Sequence, residues 1–250
     1  MGLPDLLILL TGYNSCGTSD AEGLFGCGDP VSYQGYDYTT VLIGEQCWFA
    51  ENLRSASYRN DEPIGAGLDN ATWSTTTDGA QTVYGEGDGS CSSQAPDVDA
   101  CDEEASLATY GRLYNAYAVA DERGLCPSGW HVPSDQEWME LEMHLGMTEE
   151  EVQDVALRGT DQGTQLKSVE GWSEDGGGTN ATGFSGLPHG YRYVTGTFFF
   201  AGTLNFWWTS SLHDETKSWY RALLNSSPKV SRNHSDRHNG YAVRCTLDVN

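Results

Sequence analysis

The sequence predicts an α+β fold of two main helices and short, mostly antiparallel strands, joined by long loops. Three observations carry that reading. Apolar residues recur at helical spacing only in the middle of the chain, between Thr109 and Leu157. On either side, short aromatic and β-branched runs are punctuated by many of the 30 glycines. Several of the seven cysteines fall in Gly-, Ser- and Asp-rich stretches, where a disulfide holds a loop that has little core of its own. At 250 residues the chain is read as one domain, residues 1–250.

The elements follow in order. The run Leu6-Leu7-Ile8-Leu9-Leu10 is expected to form an ordered N-terminal strand. As a lipoprotein signal it fits poorly, because no basic residue precedes it and Asp5 and Tyr13 sit where such signals exclude them. Further strands are expected at 31–34, 40–43 and 47–49. Residues 59–106 are rich in Asp, Gly, Ser and Thr and read as an insertion. A stretch that long needs a cysteine staple, a metal or irregular packing to hold it.

The first helix is expected over 112–120, with Leu113, Ala116, Tyr117 and Ala120 on one face. The second starts at Ser134, an N-cap with Glu137 three residues on. Trp138, Leu141 and Leu145 form its buried stripe, and Gly146 ends it. Thr148 and Glu151 repeat the capping pattern for a third, short helix reaching about Leu157. Strands then return at 183–184, 191–193, 197–200, 206–209, 218–223 and 241–245, and strands from the two ends of the chain are placed to pair.

Composition excludes several function classes. The formal charge is −23, with 36 acidic against 13 basic residues, so no nucleic-acid partner is expected, because phosphate binding wants a basic footprint. No apolar run reaches the roughly 18–20 residues of a membrane span. No cysteine pair has CxxC spacing, which removes zinc-ribbon and thioredoxin-type sites. Cys16/Cys27 and Cys91/Cys101 are candidate staples, each closing a short loop for about 2–3 kcal/mol in an oxidising compartment. The odd count leaves at least one thiol free or intermolecular.

Charge is unevenly spread. Residues 204–250 hold Lys217, Arg221, Lys229, Arg232, Arg237 and Arg244 against Asp214, Glu215, Asp236 and Asp248, a net of +2. The same stretch carries Trp207, Trp208, Trp219, His213, His234 and His238. Rings, Arg, His and short polar groups mixed in this way make either a binding surface or a solvated edge around one aromatic core strand.

Ordered motifs bring in a family. Ile43-Gly44-Glu45-Gln46-Cys47-Trp48-Phe49-Ala50-Glu51-Asn52-Leu53-Arg54 resembles the opening motif of the Fibrobacter succinogenes major paralogous domain. Tyr110-Gly111-Arg112-Leu113-Tyr114-Asn115-Ala116-Tyr117-Ala118-Val119 and Gly124-Leu125-Cys126-Pro127-Ser128-Gly129-Trp130-His131-Val132-Pro133-Ser134 resemble its next two. Gly183-Phe184-Ser185-Gly186-Leu187-Pro188, Gly190-Tyr191-Arg192, Trp208-Thr209-Ser210-Ser211 and Asn239-Gly240-Tyr241-Ala242-Val243-Arg244-Cys245 complete the set over about 31–247. The resemblance implies a C-type lectin-like fold, related in architecture to formylglycine-generating enzymes. It also implies a Cys126–Cys245 disulfide, with Cys47 as the odd thiol.

A second resemblance is to the variable proteins of diversity-generating retroelements, which share this fold. Their adenine-directed mutagenesis cannot turn an AAC codon into Lys, Glu, Gln, Trp or Met. Between Thr209 and Asn239 only Glu215, Lys217, Trp219 and Lys229 fall outside the permitted set. The resemblance implies a variable ligand-binding face, residues 204–239, on a fixed scaffold.

Catalytic readings fare less well. Formylglycine-generating enzymes use a cysteine pair near the C-terminal strands, and here Cys245 stands alone. Gly183-Phe184-Ser185-Gly186 misses the GxSxG elbow, because its second glycine comes one residue early. His131, at a helix entry, reads as a structural histidine.

The calcium-binding tripeptides of sugar-binding lectins do not occur, and no cofactor is expected. Asp97, Asp99, Asp102, Glu103 and Glu104 crowd one loop, which is either a structural calcium site or solvated.

The expected function is therefore non-enzymatic recognition of a protein or glycan on another cell or virus surface, by a secreted or surface-displayed domain. Its candidate contact residues are Phe206, His213, Asp214, Tyr220, Asn225, Ser226, Ser231, Asn233, His234, Asp236 and His238. Several alternate along strands, which puts every second one on one face and Trp219, Arg221 and Leu223 on the scaffold side. Tyr220, His234 and Asp236 are expected to act together on the binding face. The alternatives are an undiversified adhesin module of the same family and, behind it, a formylglycine-generating-type enzyme.

Overall fold

The computed structural model describes residues 25–248. The expected strand at Leu6 to Leu10 and Cys16 lie outside them. In chain order the strands are β1 (Val31–Tyr33), β2 (Tyr36–Tyr38), β3 (Thr40–Ile43) and β4 (Gln46–Phe49), followed by helix α1 (Asn70–Trp73) and β5 (Gln81–Thr82). Next come α2 (Glu103–Tyr110), β6 (Leu113–Tyr114), α3 (Ala116–Val119), β7 (Trp130–His131) and α4 (Asp135–His144). The last part holds β8 (Ala156–Arg158), α5 (Gln162–Leu166), β9 (His189–Arg192), β10 (Phe198–Ala201), β11 (Leu204–Leu212), β12 (Lys217–Leu224), β13 (Val230–Asp236) and β14 (Thr246–Leu247).

Two sheets dominate. The larger runs β10-β9-β11-β12-β13-β8, antiparallel except where β9 and β11 meet. The other runs β3-β4-β14-β7 and joins the two ends of the domain, Thr246 pairing with both Trp48 and His131. Between the sheets and α4, Trp48, Trp138, Phe184 and Trp207 pack ring against ring at 5.0–6.0 Å. A second cluster under the smaller sheet holds Tyr38, Phe49 and Trp130 around the Cys126–Cys245 disulfide.

Helix α4 forms where the sequence places it. Ser134 Oγ accepts from Glu137 N, and Glu137 accepts from Ser134 N at 2.7 Å, closing the capping box. Trp138 and Leu141 are buried, while Leu145 is half-buried at the C-cap. Glu137 also holds His131, whose Nε2 and Nδ1 lie 2.7 and 2.5 Å from Glu137 and Asp248. The two carboxylates raise the imidazole above its usual pKa against the opposing effect of burial. His131 therefore ties β7 to α4 and to the chain end.

Four expected elements are corrected. Residues 112–120 are not one helix: Leu113 and Tyr114 pair with Thr82 and Gln81, and Asn115 caps the single turn of α3. Pairing across the insertion overrides a helical spacing that runs for only two turns. The third helix shrinks to a 3-10 turn at Glu151–Gln153, and Leu157 lies in β8, pairing with Ser231. The Thr148–Glu151 caps do form. Phe184 and Tyr241 to Cys245 lie outside strand runs, buried in the core and held by isolated bridges and hydrogen bonds.

The insertion is not structureless either. It contains α1 and β5, and its end runs into α2, whose few apolar residues give it a weak sequence signature.

The disulfides correct two expectations. Cys27 bonds Cys47, not Cys16, so Cys47 is not the odd thiol. Cys91–Cys101 staples the insertion, and Cys126–Cys245 bridges 119 residues of sequence, both as expected.

Candidate functional site

Register decides which residues of the long β11-β12-β13 arrangement act together. Phe206 pairs with Ala222 and Ala222 with Ser231, while Trp208 pairs with Tyr220 and Tyr220 with Asn233. Directly paired residues share a face, so Phe206, Tyr220, Ser231 and Asn233 lie on one side. Trp207, Arg221, Arg232, Trp219 and His234 lie on the other. Tyr220, His234 and Asp236 are thus not one constellation, because Tyr220 opposes Asn233, and His234 and Asp236 alternate onto the reverse face.

The first face is aromatic. Tyr241 and the fully buried Trp208 form its floor, 4.2 Å apart, and Phe206 stacks on Tyr241 at 4.9 Å. Around Phe206 stand Tyr191 at 4.8 Å and Tyr220 at 5.6 Å. The β9-β10 hairpin extends the surface outward. Tyr191 contacts Phe199 at 6.0 Å and Phe200 at 6.1 Å, and Tyr193 packs at 6.2 Å from Phe199.

Tyr193, Phe199 and Phe200 remain 42%, 39% and 50% exposed. Of the three consecutive phenylalanines, only Phe198 turns into the core, and Phe200 has φ 68°. Burying a phenylalanine contributes about 1.5–3 kcal/mol, so leaving contiguous rings half-open forgoes stability at a place suited to a partner. Tyr191, Tyr193, Phe199 and Phe200 were not among the expected contact residues. Their signal is the Tyr-Arg-Tyr alternation followed by a Phe run.

The other candidates are scattered. His213 stacks on His234 at 3.7 Å, and both set ring edges against Trp219, at 4.9 and 5.5 Å. His213 Nδ1 lies 2.9 Å from Asp214, and burial with the neighbouring His213 lowers the His234 pKa. Asn225 and Ser226 occupy the β12-β13 turn at the opposite end of β12. His238, beyond β13, packs on Tyr117 at 5.2 Å, and its Nδ1 lies 2.8 Å from the accepting Asp236 carboxylate.

The net positive charge of 204–250 does not make a basic surface. Arg221, Arg232 and Arg244 are buried. Asp135 binds Arg221 at 2.6 Å and Arg232 at 2.7 Å, and Glu142 binds Arg221 at 2.7 Å and also Arg158. Burial would raise the Asp135 pKa, but the two arginines outweigh it and hold the carboxyl below its ordinary value. Burial lowers Arg158 to about 10. Arg244 donates instead to carbonyls of Phe49, Phe184 and Ser185 and to Asn52.

Three of the five carboxylates in the acidic insertion loop accept from backbone. Asp99 accepts from Cys101 N, Asp102 caps α2 through Ala105 N, and Glu103 accepts from Gly87 N. Among the described residues, no group of three or more His, Cys, Asp or Glu side chains is arranged to hold a metal ion.

The quoted motifs converge on the scaffold. Asn52 takes the Trp207 indole N–H at 2.8 Å and Arg244 Nε at 3.0 Å while donating to Tyr110 O at 2.9 Å. Ser211 Oγ accepts from Asp135 N, fixing the start of α4 on β11. Motif residues therefore hold the fold, and the exposed rings lie between them. The family model of the Fibrobacter succinogenes major domain matches residues 41–246. No curated protein and no solved structure matches the chain.

Proposed function

The chain belongs to the Fibrobacter succinogenes major domain family, and from that membership we propose a non-enzymatic ligand-binding protein of C-type lectin-like fold, secreted or surface-displayed. It recognises a protein or glycan on another cell or virus surface. The observation that carries this reading is the half-open platform of Tyr191, Tyr193, Phe199, Phe200, Phe206 and Tyr220, continued by Ser231 and Asn233. Rings supply contact area at low entropic cost, and short polar groups supply adaptable hydrogen bonds. Disulfides and a packed tryptophan core below it favour a rigid, preorganised surface.

Within this reading, retroelement mutagenesis diversifies the exposed part of 204–239. Arg221, Arg232, Trp207, Trp208 and Leu223 stay fixed, because each is buried. An adhesin of the same family with an invariant face is the alternative, and the Asn-, Ser- and His-rich segment favours diversification.

The platform is tested with Tyr193→Ser, Phe199→Ser and Phe200→Asn combined. Asparagine tolerates the positive φ at 200, and all three side chains are exposed, so the melting temperature should stay within a few degrees. Binding of the purified protein to intact cells of its source community should fall at least tenfold. Unchanged binding would remove the platform from the account.

A further inference from the structure

We propose that a cleft just beyond β13 binds the carboxylate of a small ligand, with Arg237 as its receptor. The cleft encloses about 470 Å³ and is lined in part by Tyr58, Asp78, Tyr117, Asp121, Arg123 and Arg237. That volume suits a small molecule or a peptide end. None of these residues belongs to the aromatic platform.

Arg237 stands apart from every other arginine among the described residues. Arg54, Arg123, Arg158, Arg221 and Arg232 meet carboxylates. Arg59, Arg112, Arg192 and Arg244 donate to carbonyl or amide oxygens. Among the described residues the Arg237 side chain has no hydrogen-bond partner, and its Nε is sealed from solvent. A sealed donor without an acceptor costs about 1–3 kcal/mol, in a chain that carries 36 carboxylate side chains.

The arginine is nonetheless held in place. Its guanidinium lies 4.2 Å from the Tyr117 ring centroid, and its backbone bonds Thr216 O and Ala116 N. The adjacent Asp236 is turned away, accepting from His238 N at 2.9 Å.

The cleft offers a second donor. Tyr58 Oη is sealed from solvent and makes no hydrogen bond of good geometry among the described residues, and burial, reinforced by the nearby Asp121 carboxylate, pushes its pKa up to about 12, so it stays protonated at neutral pH. A Cβ at residue 79 would fall 1.8 Å from that oxygen, so Gly79 leaves the phenol its position. Arg123 is not available, being bound at 2.7 Å to both Glu62 and Asp121. One free guanidinium matches one carboxylate, whose two oxygens fit its fork. Asp78, Asp121 and the net charge of −23 oppose a polyanion.

Calorimetry on the full chain tests this with two acids, glucuronate and N-acetylglycine, each against its neutral amide. At least one acid should bind, with its amide at least tenfold weaker. Arg237→Gln should lose that binding at least tenfold, and Tyr58→Phe should weaken it several-fold. Glucuronate alone would identify an acidic sugar, N-acetylglycine alone a peptide terminus, and both a generic carboxylate site. Absence of binding by either acid, equal binding of acid and amide, or wild-type affinity in Arg237→Gln would overturn the proposal. The acid–amide comparison needs no variant and stands even if a substitution disturbs folding.

Discussion

Glu142→Ala is expected to destabilise the protein by roughly 3–5 kcal/mol, lowering its melting temperature by about 10–15 °C. Glu142 is fully buried on α4 and is the carboxylate partner of Arg158, while also binding Arg221. Asp135 sits seven residues earlier on the same helix face and binds Arg221 and Arg232 from strands β12 and β13. Three guanidiniums and two carboxylates thus clamp α4 onto the back of the sheet that carries the aromatic platform. Removing one carboxylate leaves Arg158 buried without an acidic partner, and the cost comes mainly from that uncompensated charge. Replacing Glu142, Arg158 and Arg221 together with Leu or Met should recover part of the loss. Thermal denaturation of both variants checks this. A Glu142→Ala protein as stable as wild type would show that the network adds nothing to the clamp.

Removing the Cys126–Cys245 disulfide with two serines is expected to cost about 5 kcal/mol, against about 3 kcal/mol for Cys91–Cys101. The first closes 119 residues and the second 10, and the entropy removed from the unfolded chain grows with the logarithm of that length. The first also sits in the core: Cys126 and Cys245 are 1% and 0% exposed, beside Val132 and Val243. Urea unfolding of the two double mutants reads the difference. Equal midpoints would mean that residual structure in the unfolded chain offsets the loop-length effect.

Local chemistry was legible in the sequence, as was the pairing of early strands with the C-terminal one, but most other long-range pairing was not. The capping box at Ser134, the β3 and β4 runs and the Cys91–Cys101 staple depend on neighbours a few residues apart. Cys27–Cys47 depends on where the first strands fold back, which spacing does not state. Leu113 and Tyr114 fit a helix until β5 arrives from the insertion to pair with them.

Residues 204–239 show the same limit. Alternation along β12 correctly sent Arg221 and Leu223 to the scaffold side. The register between β12 and β13 then determined that Tyr220 meets Asn233, dividing the expected contact set between two faces. Charge counting failed for a related reason. Arg221 and Arg232 look like a basic patch in sequence, but their acidic partners lie on a helix more than 75 residues away.

Deep sequencing of this gene across its source population tests the central claim most directly. Diversified recognition predicts substitutions concentrated in codons 204–239, at adenines of a template copy. They should fall on half-buried and exposed positions such as Phe206, Tyr220, Ser231 and Asn233 and spare the buried Arg221, Arg232 and Trp207. Substitutions spread evenly along the chain, or falling equally on buried and exposed positions, would contradict it.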